Sequence, residues 1–532
     1  MKNQILYDKI KNTHAIAQWE GIGFDPHHGF CIPLFSLRTK TSLGIGEFLD
    51  LLPLIDWCAK LSMDVIQLLP INDTGTEKSP YSAISSLALN PVYISLHVLE
   101  KCHDTPKLRK LYAELEEFEK LKRANYHDVR AKKLEYLYTY FSCPDIFKRH
   151  KEDYYNFFKK HAWVRDYALF RILKNHFDQK PWHNWPKTYQ DPTNAKLEEW
   201  AKKFEKELKY EIFLQYLCFS QMERVKKYAN EKKVFIKGDI PILVNKDSVD
   251  VWTQQDSFFR EKFAGCPPDR FNREGQNWGF PLFNWKRMEE NDYAWWKERL
   301  KVAQNIFNIY RVDHAVGFFR IWAVHKGKTP GFGNFEPEDK KKWLEHGSKV
   351  FRMMLLNTTM LPIAEDLGTV PKKIQECIKS LGICGTSVLH SQYHWRYPHF
   401  FKDAQNYHPV SMTTVGTHDM EPLAAWYKRY PQISKRFAHF MHWDYDGKMT
   451  RLQQEQTLTF AHSTSSAFHI NMFDEYLSLI EEFTIEPLED RRINLPGMII
   501  KNNWTLRMNQ PLETVSKHEQ LNQTLCRILK NP

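Results

Sequence analysis

The sequence predicts an α/β protein, a (β/α)8 TIM barrel carrying large helical insertions. Short β-branched runs recur along the chain, each ending at a polar or acidic residue. Helical periodicity fills most of the intervals, as in FLDLLPLIDWCAKL (48–61) and KKIQECIKSLG (372–382); alternating strand and helix signals indicate βα units on a parallel sheet. Four runs place a carboxylate at their end, where the strands of such a barrel converge on one rim.

In order, the strand candidates are FCIPLFSL (30–37), DVIQLLPI (64–71), VFIKGDIPILV (234–244), IYRVDH (309–314), MLPIAEDLG (360–368), SVLH (387–390) and SMTTVGTHD (411–419). Residues 97–230 are helical in pattern and highly charged, and are expected to form an inserted helical subdomain. The barrel then occupies 24–96 and 231–532. A second helical interval, about 420–485, separates the THD run from INLPGMI (493–499). No clean linker appears, so the insertions decorate a single barrel.

Composition excludes several classes. The 532 residues carry a net charge of +11, but Lys and Arg alternate with Glu, as in KLEEWAKKFEKELKYE (196–211). That is the pattern of solvated helix faces, and no nucleic-acid motif accompanies it. Nine scattered cysteines without a C-x-x-C pair suit a reducing compartment rather than a disulfide framework or zinc site. The N-terminus lacks the apolar core of a signal peptide, and no apolar run reaches membrane-spanning length. A cytoplasmic protein with no nucleic-acid or membrane partner is expected.

The strand-end carboxylates are Asp239, Asp313, Glu365 and Asp419. An acid-rich rim suits magnesium binding, yet neither a Gly-rich phosphate loop nor a D-x-D spacing accompanies it. Glycosyl transfer also uses such a rim, with two carboxylates flanking the anomeric carbon. Arg311 precedes Asp313 by two residues, so on a strand both face the same way, and the guanidinium is expected to keep Asp313 ionised. His314 and His418 are placed to donate hydrogen bonds to sugar hydroxyls. One Asp at a strand end is commonly only a helix cap; four in register, two beside His, favour a carbohydrate-active rim.

Long motifs then resemble, in order, those of the 4-α-glucanotransferases (amylomaltases or disproportionating enzymes) of the α-amylase clan. They are IPLFSL (32–37), LGIGEFLDL (43–51), IQLLPINDTG (66–75), SPYSAISSLALNPVYISL (79–96), GDIPILVNKDSVDVW (238–252), PPDRFNREGQNWGFPLFNW (267–285), YRVDH (310–314), AEDLG (364–368), GTHD (416–419), NLPG (494–497) and NNW (502–504). By resemblance Asp313 is the nucleophile, Glu365 the general acid/base and Asp419 the transition-state stabiliser. Arg311, His314 and His418 match the shell around the reacting sugar, and Tyr81 an aromatic platform with Ser79 beside it. Asp269, Phe271, Gln276 and Trp278 lie in a loop motif over the glucan, and Asp366 and Asn494 match further sugar contacts. Neighbouring carboxylates are expected to raise Glu365 so that it holds a proton.

The resemblance implies transfer from an α-1,4-glucan donor, maltodextrin or glycogen, to glucose or another glucan, without a metal or organic cofactor. An α-1,4-glucan hydrolase on the same acids and a non-catalytic glucan-binding protein are the alternatives. FFRIW and GQNWGFP resemble the branch related to the plant cytosolic transglucosidase. Thr76 stands where some members carry an aromatic, so no secondary glucan site is expected there.

Overall fold

The computed structural model describes residues 2–100, 105–268, 273–393 and 400–530. These residues form twelve strands: β1 (His27–Cys31), β2 (Val65–Gln67), β3 (Phe235–Ile240), β4 (Phe258–Cys266), β5 (Gln276–Phe283), β6 (Ile309–Val312), β7 (Ile321–His325), β8 (Asn334–Glu336), β9 (Leu361–Ala364), β10 (Cys384–Val388), β11 (Ser411–Thr414) and β12 (Phe468–Met472). Eight close a parallel barrel in the order β1, β2, β3, β6, β9, β10, β11, β12, and β12 pairs back onto β1 with Gly29 opposite Ile470. The other four form an antiparallel sheet, β5-β4-β7-β8.

Buried residues fill both faces of the barrel strands, the burial expected when helices cover a parallel sheet. Gly238 shows how tightly that cover fits: a Cβ there would lie 2.4 Å from a ring carbon of Phe307. The barrel interior is partly polar. Lys237 on β3 is fully buried; its Nζ donates to Gln67 Oε1 on β2 at 2.7 Å and lies 3.0 Å from Met412 Sδ on β11. Burial pushes this amine down to about 7.

Between β2 and β3 run the helices Pro106–Glu116, Tyr126–Phe141, Ile146–Lys160, Trp163–His176, Asn194–Lys203 and Glu205–Glu231. Lys133, from the second of these, is fully buried against Glu47. Its Nζ also donates to the Val92 and Ile94 carbonyls at 2.8 and 3.0 Å. A buried cation satisfied by a carboxylate and two carbonyls holds the helices to the barrel side in one register.

Seven strands fall within or beside the runs that the sequence singles out. The eighth does not: it is FHINM (468–472), inside the interval expected to be helical, while 493–499 is loop. His469 and Asn471 are buried among its residues, and their polarity hides the strand pattern. Residues 451–463 form the expected helix immediately before it. The antiparallel sheet was not expected either; the β4–β5 pairing contains register shifts that blur any alternation. Among the described residues no helix is long and apolar enough to cross a membrane, and no disulfide links the cysteines.

Lys133→Ala is expected to destabilise the protein by about 3–5 kcal/mol, because Glu47 is left buried without its partner. Urea unfolding followed by tryptophan fluorescence measures this; a loss below about 1 kcal/mol would show the pair to be dispensable.

Candidate active site

The barrel register assembles the charged cluster. Asp239 on β3 pairs with Arg311 on β6, and Val312 pairs with Ala364 on β9. Asp313 and Glu365 therefore emerge side by side past their strand ends. Arg311 Nη1 donates to both oxygens of Asp239 at 2.7 Å. Its Nη2 reaches Glu365 Oε2 at 2.8 Å and Asp313 Oδ1 at 2.9 Å. One guanidinium is thus shared by three carboxylates. Burial disfavours its charge, but Asp239 foremost, with Glu365 and Asp313, outweighs that and holds it protonated.

Around this centre the loops add hydrogen bonds and rings. The Tyr81 hydroxyl donates to Asp239 Oδ2 at 2.7 Å, and its ring stacks on His418 at 5.3 Å and 17°. His418 Nε2 lies 3.4 Å from Asp419 Oδ2. Asn494 Nδ2 donates to the other Asp419 oxygen at 2.6 Å, and Arg492 Nη2 donates to the Asp419 carbonyl at 2.9 Å. His314 has φ +41, a left-handed conformation uncommon outside glycine and typical of strained functional turns. That turn aims its backbone N–H at Glu365 Oε2, 2.9 Å away, and sets its ring edge-on to Trp278 at 5.1 Å. Trp278 Nε1 donates to Gln276 Oε1 at 2.9 Å.

The other expected residues divide. Ser79 is half-buried in the turn before Tyr81. Asp366 points into the β9–β10 connection, accepting from Thr386 N at 2.7 Å and Gln375 Nε2 at 3.3 Å. Asp269 and Phe271 lie outside the described residues. Three residues given no catalytic or binding role from sequence, Asp239, Trp504 and Arg492, stand in the cluster. Asp239 is the main anion facing Arg311, and Trp504 packs against both Tyr81 and His418 at 5.7 and 5.9 Å. Asp239 had a signal in its strand-end position and Trp504 in the NNW motif; Arg492, beside Asn494, had none beyond its charge.

The protonation differs from expectation. Burial pushes Asp313 up to about 7; Arg311 opposes the rise and the Glu365 charge adds to it. Burial would raise Glu365 too, but Arg311 and the His314 N–H outweigh it, so Glu365 lies below the ordinary carboxylate range. Each takes the guanidinium and one backbone N–H, but the second donor to Glu365 is His314 N at 2.9 Å, whereas that to Asp313 is Ile242 N at 3.4 Å. The last proton of the pair is therefore held at Asp313 and lost at about 7.

Fold and cluster together are those of a (β/α)8-barrel enzyme with its acids at the C-terminal mouth. A family profile described as 4-alpha-glucanotransferase matches residues 32–513. A 4-alpha-glucanotransferase of Chlamydia caviae is 40% identical over 98% of this chain and 97% of its own. The rice 4-alpha-glucanotransferase DPE2 is 33% identical over 60% of this chain and 34% of its own. An amylomaltase from Streptococcus agalactiae, solved in complex with acarbose, shares the fold with TM-score 0.77 at 23% identity over 95% of this chain and 98% of its own. The chain belongs to the 4-alpha-glucanotransferase family.

The raised Asp313 gives a stability signature. A carboxyl raised in the folded state loses its proton first in the unfolded chain, so its presence costs stability as pH climbs from about 4 to 7. Asp313→Asn is therefore expected to be more stable than the parent above pH 7, by up to about 4 kcal/mol, with the gain vanishing near pH 4. Thermal unfolding of both proteins across pH 4–8 checks the sign; a variant less stable at pH 8 would refute it.

Proposed function

We propose that Asp313, Glu365 and Asp419 carry a retaining transfer of α-1,4-glucan segments, by double displacement, to the 4-hydroxyl of glucose or another glucan. One observation carries the reading: Asp313 and Glu365 share a single guanidinium nitrogen at 2.9 and 2.8 Å. Their bonded oxygens lie no further apart than those two lengths together. That is compatible with the roughly 5–5.5 Å spacing of a retaining pair.

The chemistry follows from that spacing. Glu365 protonates the bridging oxygen while Asp313 attacks the anomeric carbon and forms a glucosyl-enzyme. Developing positive charge on the sugar favours the Asp313 anion, which draws the shared proton to Glu365. Asp419, held by Asn494, is 42% exposed and accepts from hydroxyls of the distorted ring. An acceptor 4-hydroxyl then enters, Glu365 takes its proton, and the linkage reforms with retention. Tyr81, Trp278, Gln276, His314 and His418 bind the sugars by ring contact and hydrogen bond. By resemblance Ser79, Asp269 and Phe271 add further glucan contacts, whereas Asp366, bonded to Thr386 and Gln375, is not among them. Maltodextrin and glycogen are the donors that this groove suits. Residues 24–96 and 231–532 form the catalytic barrel with its insertions, and residues 97–230 an inserted helical subdomain.

Incubation with maltotriose, followed by chromatography, tests the reading. A ladder of longer oligomers with glucose is expected; glucose and maltose alone would make the protein a hydrolase. Asp313→Ala is expected to abolish redistribution while glucan binding persists, and parent-like turnover in that variant would reassign the nucleophile. The pH profile tests the shared proton. Only the singly protonated pair is productive, so kcat/KM is expected to fall as pH rises through about 7, where the proton is lost. A profile still rising at pH 8 would exclude this pair.

A further inference from the structure

The loop that follows the site residue Asn494 carries an unusual tip. Met498, Ile499 and Ile500 are consecutive, and their exposures are 56%, 105% and 36%. Three neighbouring aliphatic side chains in water are unfavourable unless something covers them.

This exposure is built into the loop. Asn503 bridges its base: Oδ1 accepts from Leu495 N at 3.1 Å, and Nδ2 donates to the Met498 carbonyl at 2.9 Å. Trp504 N donates to the Ile493 carbonyl at 2.8 Å. On the far side, Lys78 Nζ donates to the Lys501 carbonyl at 2.8 Å, which ties the loop to the turn that presents Ser79 and Tyr81. A loop pinned at both ends holds its apolar tip outward by construction.

What lies across the tip follows from what the base holds. Asn494 bonds Asp419, and Trp504 packs on Tyr81 and His418. The loop that carries the tip is therefore rooted at both ends in the cluster assigned to glucan. A long glucan held at that cluster extends beyond the reacting residues, and its pyranose rings present apolar C–H faces. We propose that Met498, Ile499 and Ile500 form an apolar landing for the part of a long α-1,4-glucan that extends beyond the reacting residues. The tip thereby selects polymers over short oligosaccharides. This rests on the glucan-transfer reading above.

The test is Met498→Ser with Ile499→Ser, a double change at exposed positions whose thermal midpoint is expected to match the parent. On glycogen, kcat/KM is expected to fall about tenfold, the scale of two lost aliphatic contacts. On maltotriose it is expected to stay within about twofold. Retention of the variant in a glycogen-containing native gel, which needs no turnover, is expected to weaken in parallel. Unchanged glycogen rates, or equal losses on both substrates, would overturn the proposal. So would sedimentation showing that the parent is a dimer and the variant a monomer with glycogen rates intact, since a second copy would then be what covers the tip. A parent protein that redistributes neither substrate would instead refute the transfer reading, and the gel would still report on the tip alone.

Discussion

The site depends on one guanidinium. Arg311 faces Asp239 with one nitrogen and both Asp313 and Glu365 with the other. Three carboxylates gathered in a buried cleft repel one another and lose hydration, and an unpaired buried charge costs several kcal/mol. The single cation makes the gathering tolerable without neutralising it. What remains is a cluster short of positive charge, in a setting where each electrostatic term is stronger than in water. That deficit keeps one proton in the pair, and it suits a site where positive charge develops on a sugar.

Much of this was legible in the chain, for a simple reason. A parallel barrel gathers its strand ends whatever their separation in sequence, so carboxylates at four strand ends read as one cluster. The side on which Arg311 faces follows from the two-residue period of β6. The position of the shared proton did not follow, because it turns on the lengths of backbone hydrogen bonds that only the folded turn reveals. His314 N reaches Glu365 at 2.9 Å, while Ile242 N stays 3.4 Å from Asp313. The eighth strand was hidden because His469 and Asn471 are buried polar residues where the pattern calls for apolar ones.

The rim is also a meeting of loops from different parts of the chain. Tyr81 follows β2 and His418 follows β11, yet their rings stack at 5.3 Å, with Trp504 from a third segment against both. Aromatic faces hold these loops by area and shape rather than by charge, which leaves the carboxylates free of structural duty. Asp239 is the exception. It is bound by Tyr81 and Arg311 together and so joins the ring contacts to the charged centre.

The placing of Arg311 on β6 and Asp313 in the turn directly after it has a consequence for how such a site can vary. Because Asp313 follows Arg311 by two residues, directly past the end of β6, a slip of that strand by a single residue would turn Arg311 from the mouth and displace Asp313 with it. The attacking anion and its counter-ion thus travel as a cassette, and neither can drift without the other. Diversification is left to the loops, which change what is bound without touching how the bond is broken.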